Sequence, residues 1–96
     1  MRERLRSKFL SAVEQTGALL DEAGQAEQAI ALYQRGLDAD PLAETFYQGL
    51  IRSYISQGRQ AEAISTYRRL RHTLSIVLGV QPSSRTEALV RELRSY

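Results

Sequence analysis

The 96 residues predict an all-α fold, about five helices folded as antiparallel hairpins in a right-handed stack. Three observations carry that expectation. Gly24, Ala29, Ile30, Tyr33 and Arg35 recur 34 residues later as Gly58, Ala63, Ile64, Tyr67 and Arg69, and small or apolar residues returning at such a period mark stacked helical units. Apolar residues also repeat at three- and four-residue steps along several long segments. Finally, only two prolines interrupt a chain rich in Ala, Leu, Gln, Glu and Arg, residues that favour helix.

The first helix is expected over 3–22, with Phe9, Ala12, Val13, Thr16, Leu19 and Leu20 as its apolar stripe and Ala23-Gly24 closing it. The second spans 26–39 and buries Ala29, Ile30, Tyr33 and Leu37. Asp40 before Pro41 reads as the start of a third helix over 41–56, because proline gives up an amide that has no partner in a first turn. Leu42, Phe46, Tyr47, Leu50, Ile51, Tyr54 and Ile55 give this helix an apolar face broad enough for neighbours on two sides. The fourth helix covers 60–78 with Ala63, Ile64, Tyr67, Leu70, Leu74 and Val77 inward, and Gly79 ends it. Ser84-Arg-Thr-Glu87 reads as a capping box opening a fifth helix that presents Ala88, Leu89 and Leu93.

Short connections force consecutive helices to pack antiparallel. Ala29 and Ala63 fall where the helices of each hairpin approach most closely, and Tyr33 and Tyr67 fill the space between hairpins. Gly17, Gly36 and Gly49 lie inside helices, where each costs about 1 kcal/mol against alanine; close helix contact is the reason to keep them. The expected organisation is one domain over 1–96, with a first repeat at 10–43, a second at 44–77 and a capping helix at 84–95.

Composition removes several function classes. With no cysteine there are no disulfides, thiolate metal sites or cysteine nucleophiles, which fits a cytoplasmic protein. No apolar run is long enough to span a membrane. The single histidine, His72, has Arg68 and Ile76 as its four-residue neighbours, so no nucleophile or metal co-ligand shares its helix face. The sole lysine, Lys8, follows no glycine-rich phosphate loop. No enzyme, cofactor or metal is expected. The net charge of +2 is a small excess of 13 basic over 11 acidic residues, weak ground for nucleic-acid binding.

Contact surfaces are the remaining prospect. In the 34-residue frame Glu14, Gln15, Ala18, Asp21 and Glu22 correspond to Gln48, Gly49, Arg52, Ile55 and Ser56, positions that line the inner, concave side of a stacked repeat. Glu14, Asp21, Gln48, Arg52 and Ile55 are therefore the first candidates for partner binding. Arg68, Arg71 and His72, with Arg69, form a second patch on the exposed flank of the fourth helix. Arg2, Arg4, Arg6 and Lys8 spread around the first helix, and Arg85, Arg91 and Arg94 lie on the last. Phosphate contacts need such groups, but sequence-specific DNA reading also needs a protruding element with side chains that reach base edges, and none is evident.

The frame resembles the tetratricopeptide repeat, through Gly17, Leu20, Ala29, Tyr33, Gly36 and Pro41 in the first unit and Tyr47, Leu50, Tyr54, Ala63, Tyr67 and Leu70 in the second. The second unit departs at Ile51, where a small residue is usual, and at Ser75, where proline is. A more specific likeness follows from Asp40-Pro41-Leu42-Ala43-Glu44, the run from Tyr54 through Gly58 to Ala63, Tyr67-Arg-Arg-Leu70-Arg71 and Leu78-Gly79-Val80-Gln81-Pro82. Over about residues 15–96 these resemble the bacterial transcriptional activator domain, which follows a winged-helix DNA-binding domain in regulators of the antibiotic-regulatory-protein type. The resemblance implies a protein–protein or interdomain contact role in transcription regulation, without DNA reading by this domain. Its implied partners are the winged-helix domain of the same full-length chain, a second subunit or RNA polymerase, and it implies that the chain is a C-terminal piece of such a regulator. The alternatives are an auxiliary nucleic-acid contact through the basic flank of the fourth helix, or a free-standing tetratricopeptide adaptor.

Overall fold

The computed structural model describes residues 3–91 and Leu93, and these contain five α-helices and no strand. They are α1 Glu3–Glu22, α2 Ala26–Ala39, α3 Glu44–Ser56, α4 Gln60–Leu78 and α5 Ser84–Arg91. The expected end of the capping helix at 95, together with Arg2 and Arg94, lies outside the described residues. Each of the first four helices packs on its successor; α1 also reaches α3, and α5 packs on α3 and α4. The result is two helical hairpins and a cap, with α1, α3 and α5 forming the inner row.

Two glycines make the hairpin turns alike. Gly24 and Gly58 sit at φ 76° and 72°, the left-handed region that glycine enters without a Cβ penalty. Gln25 N–H then reaches Leu20 O at 2.8 Å, and Arg59 N–H reaches Tyr54 O at 2.8 Å, so the last carbonyls of α1 and α3 are satisfied while the chain reverses. Arg59 adds a clip across the two hairpins: it pairs with Glu62 and Glu27 at 2.6 Å and lies 4.8 Å over the Tyr54 ring.

The core is strung along the repeat. Ala29 and Ala63 are both fully buried, and Tyr33, Phe46, Tyr47, Leu50, Ile51 and Leu70 fill the space around them. The glycines inside helices are explained by Tyr33 and Phe46. A Cβ on Gly17 or Gly49 would overlap the Tyr33 ring from opposite sides, and one on Gly36 would meet Phe46 Cε2 at 2.7 Å. Tyr33 thus fills the junction between the hairpins, as the frame predicts. Tyr67 instead faces the cap, donating to Glu87 Oε1 at 2.5 Å.

Other expectations are corrected. The third helix starts at Glu44, not at residue 41: Pro41 and Leu42 form a turn in which Ala43 N–H bonds Asp40 O at 3.1 Å. The Asp40 carboxylate takes Leu42 N–H and Arg6 Nε, the latter at 2.9 Å, and caps no helix. The cap of α5 is displaced by one residue, since Ser83 Oγ accepts Thr86 N–H at 3.4 Å while the Glu87 carboxylate turns to Tyr67. On α5 the buried residues are Thr86 and Val90, with Leu89 half-buried against the core and Ala88 exposed, and Leu93 is buried beyond the helix end. Lastly, Ala12, Thr16, Leu19 and Val77 are exposed, because among the described residues no helix covers the outer side of α1 and α4 runs past the end of α3.

Candidate functional site

The inner row of helices creates one open groove of about 320 Å³. Helix α1 contributes Glu14, Gln15 and Ala18, α3 contributes Thr45, Gln48 and Arg52, and α5 contributes Arg85. A 34-residue repeat puts equivalent positions of α1 and α3 on the same side, which is why Glu14 and Gln48 meet although they are distant in sequence. Arg52 is exposed and makes no ion pair with any described carboxylate. It stands near the Tyr33 hydroxyl, whose acidity is set by burial first, which pushes the phenol above its ordinary 10.0, with the Arg52 charge pulling the other way. The groove therefore holds free positive charge at Arg52 and Arg85 facing an exposed Glu14.

The other inner-face candidates are already occupied. Both Asp21 oxygens accept from Ser53 Oγ at 2.9 Å, joining α1 to α3. Ile55 is half-buried against the core. Gln48 is buried, and its amide donates to Thr86 Oγ1 at 3.0 Å, so it forms the groove floor by holding α5. It belongs to a polar joint the sequence reading did not anticipate: Thr86 Oγ1 donates to Glu44 Oε2 at 2.5 Å, and Ser83 N–H donates to the same oxygen at 2.9 Å. Burial alone would raise the Glu44 carboxyl above its ordinary 4.5, but the donors from Thr86, Ser83 and Gln48 outweigh it and hold the group lower. Arg85 reaches the groove because this joint fixes the start of α5 against α3. No periodicity could have signalled it, since Glu44 in α3 and Thr86 in α5 lie 42 residues apart, off the 34-residue frame.

Arg68, Arg71 and His72 are exposed and line a second open groove of about 450 Å³ with Ser75 and Gln81. The chain after Gly79 turns back beside α4 and supplies Gln81. Arg71 lies 5.7 Å over the Tyr67 ring, and Arg69 lies at the same distance over Tyr47. Among the described residues, no group of three His, Asp or Glu side chains could hold a metal ion, and no helix is long and apolar enough to cross a membrane.

Comparison with known proteins places this geometry in a family. The family model described as the bacterial transcriptional activator domain matches residues 1–94. Transcriptional regulator RedD of Streptomyces coelicolor is 36% identical over 75 residues, which is 78% of this chain and 21% of RedD. The chain thus spans about a fifth of the length of that curated relative. No solved structure matches.

Proposed function

The chain belongs to the bacterial transcriptional activator domain family, and from that premise we propose that it grips a protein segment in the groove between α1, α3 and α5 and reads no DNA itself. Domains of this family are non-catalytic protein–protein interaction modules of transcription regulators. The segment belongs to the winged-helix DNA-binding domain of the same regulator, to a second subunit or to RNA polymerase. The observation that carries this reading is the groove itself, where Arg52 and Arg85 face Glu14 with no carboxylate of their own. A segment carrying an acidic side chain answers the two arginines, and a donor beside it answers Glu14. Electrostatic complementarity of this kind fixes register and partner choice more than raw affinity. A duplex would set a run of phosphates against Glu14, which disfavours it here.

The experiment is a gel-shift titration of the 96-residue chain with duplex DNA at two salt concentrations. The proposal expects no retarded duplex at either. Weak binding that falls steeply with salt and is lost in Arg68→Ala with Arg71→Ala would instead establish an auxiliary nucleic-acid contact on α4.

A further inference from the structure

Helix α4 outlasts the helix on which it packs. At about 1.5 Å per residue its 19 residues span roughly 28 Å, against roughly 20 Å for the 13 residues of α3. The overhang leaves Ile76, Val77 and Leu78 exposed at 71%, 56% and 55%, and Val80 beyond the turn at 48%. Single exposed apolar residues are ordinary, but four within five positions form a patch. The patch is held in place, too: Gly79 adopts φ 66°, and Val80 N–H returns to Leu74 O at 3.3 Å.

The same stretch of chain is free of acid. From Ala63 through Thr86 there is no Asp or Glu, while Arg68, Arg71 and His72 line the groove immediately N-terminal to the patch. His72 and Ile76 are one helical turn apart on one face. None of the three basic side chains pairs with a described carboxylate, and the carboxylate on the neighbouring α5, Glu87, is engaged by Tyr67. Apolar and basic surface thus lie side by side, the apolar side chains exposed and the basic ones without a described carboxylate, Arg71 resting only against the Tyr67 ring.

We propose that this end of α4 docks an acidic amphipathic helix from a partner protein. Its apolar side chains cover Ile76, Val77 and Val80, and carboxylates about one turn away pair with Arg68, Arg71 and His72. The proposal rests on reading the chain as a protein-contact module and adds a surface separate from the groove at Arg52. Charge complementarity selects this occupant over the others. A second copy meeting the patch symmetrically brings the same acid-free tract and leaves the arginines unanswered. A duplex answers the arginines but leaves four apolar side chains against a polyanion.

The test is a nitrogen-15 chemical-shift titration of the 96-residue chain. The probe is a synthetic helical peptide with leucines one turn apart and glutamates on the flanking face, compared with the same peptide carrying lysines for the glutamates. The acidic peptide should displace amides between Arg68 and Val80, and the lysine peptide should not. Arg68→Glu with Arg71→Glu should weaken binding about tenfold or more, as should Ile76→Ser with Val80→Ser through lost apolar contact. Arg52→Glu should bind the peptide like the parent chain, so that failure of the Arg52 groove in its own assays leaves this result standing. The proposal is overturned by equal response to both peptides, by displacement confined to the Arg52 groove, or by no displacement up to about 1 mM acidic peptide. It is equally overturned if a short duplex displaces these amides at physiological salt while the acidic peptide does not, or if sedimentation shows self-association abolished by Ile76→Ser.

Discussion

Replacing Gly49 with alanine separates two opposed effects whose sizes can be worked from the structure. Inside a solvent-facing helix the change would stabilise by about 1 kcal/mol, since glycine loses the most backbone freedom on folding. At Gly49, however, the new Cβ lands 2.6 Å from both Cε1 and Cε2 of Tyr33, about 0.8 Å inside the 3.4 Å at which ordinary contact begins. The ring cannot retreat. A Cβ on Gly17, behind it on α1, would already stand 2.8 Å from Cε1, and the Phe46 ring centroid lies 6.4 Å away. Relief therefore requires α1 and α3 to separate, an overpacking cost of about 1–3 kcal/mol. We expect Gly49→Ala to lower stability by up to about 2 kcal/mol net, read in thermal denaturation followed by circular dichroism as a loss of about 4–8 °C per kcal/mol. In a Tyr33→Leu background the same substitution should become neutral or favourable, a coupling of about 1–3 kcal/mol between sites in contact. A melting temperature raised by Gly49→Ala in the parent chain would refute the claim that Tyr33 is clamped between the two glycines.

Three further outcomes test other parts of the fold. Ala63→Leu adds volume at a position with no exposure and should cost about 1–3 kcal/mol; unchanged denaturation would remove the close approach assigned to it. Gly58→Ala meets open space but forces a Cβ into φ 72°, so urea unfolding should show a loss of about 1–2 kcal/mol from strain alone, and no loss would mean that the turn relaxes. Because the folded carboxyl of Glu44 titrates below its ordinary 4.5, its stabilisation is fully present above that value and is lost as pH falls through the lower folded value. Glu44→Gln should therefore cost about 1–2 kcal/mol at neutral pH and flatten the acid limb of the stability profile, and an acid limb identical to the parent's would place the pH dependence elsewhere.

What was legible in the sequence follows from what is local or periodic. The ends of α1, α2 and α4 and the turn glycines could be read because caps and apolar spacing lie within a few residues of each other. The groove was half legible: the 34-residue frame places Glu14, Ala18 and Arg52 on one side, but not Arg85, which arrives only through the joint of Glu44, Gln48, Ser83 and Thr86. That joint pairs a first-turn acid with a backbone amide 39 residues away and a hydroxyl 42 residues away, and no periodic signal encodes such a contact. Val77 shows the converse failure. Its spacing continues the apolar stripe of α4, yet α3 is too short to cover it, and relative helix length is a tertiary fact. Asp40-Pro41 misled for a third reason, since the signal of a helix start equally suits a tight turn, and Arg6 on α1 draws the carboxylate away from the free amides.

The central claim is that the inner groove acts by holding protein, and charge reversal at Arg52 tests it most directly. Arg52 is exposed and carries no internal ion pair, so Arg52→Glu should leave folding intact. Transcription from the target promoter should be measured for the regulator carrying this substitution, with its promoter affinity measured in parallel. The account predicts transcription reduced about tenfold or more with promoter affinity unchanged. Unaltered transcription, or a loss explained entirely by weaker promoter binding, would contradict it.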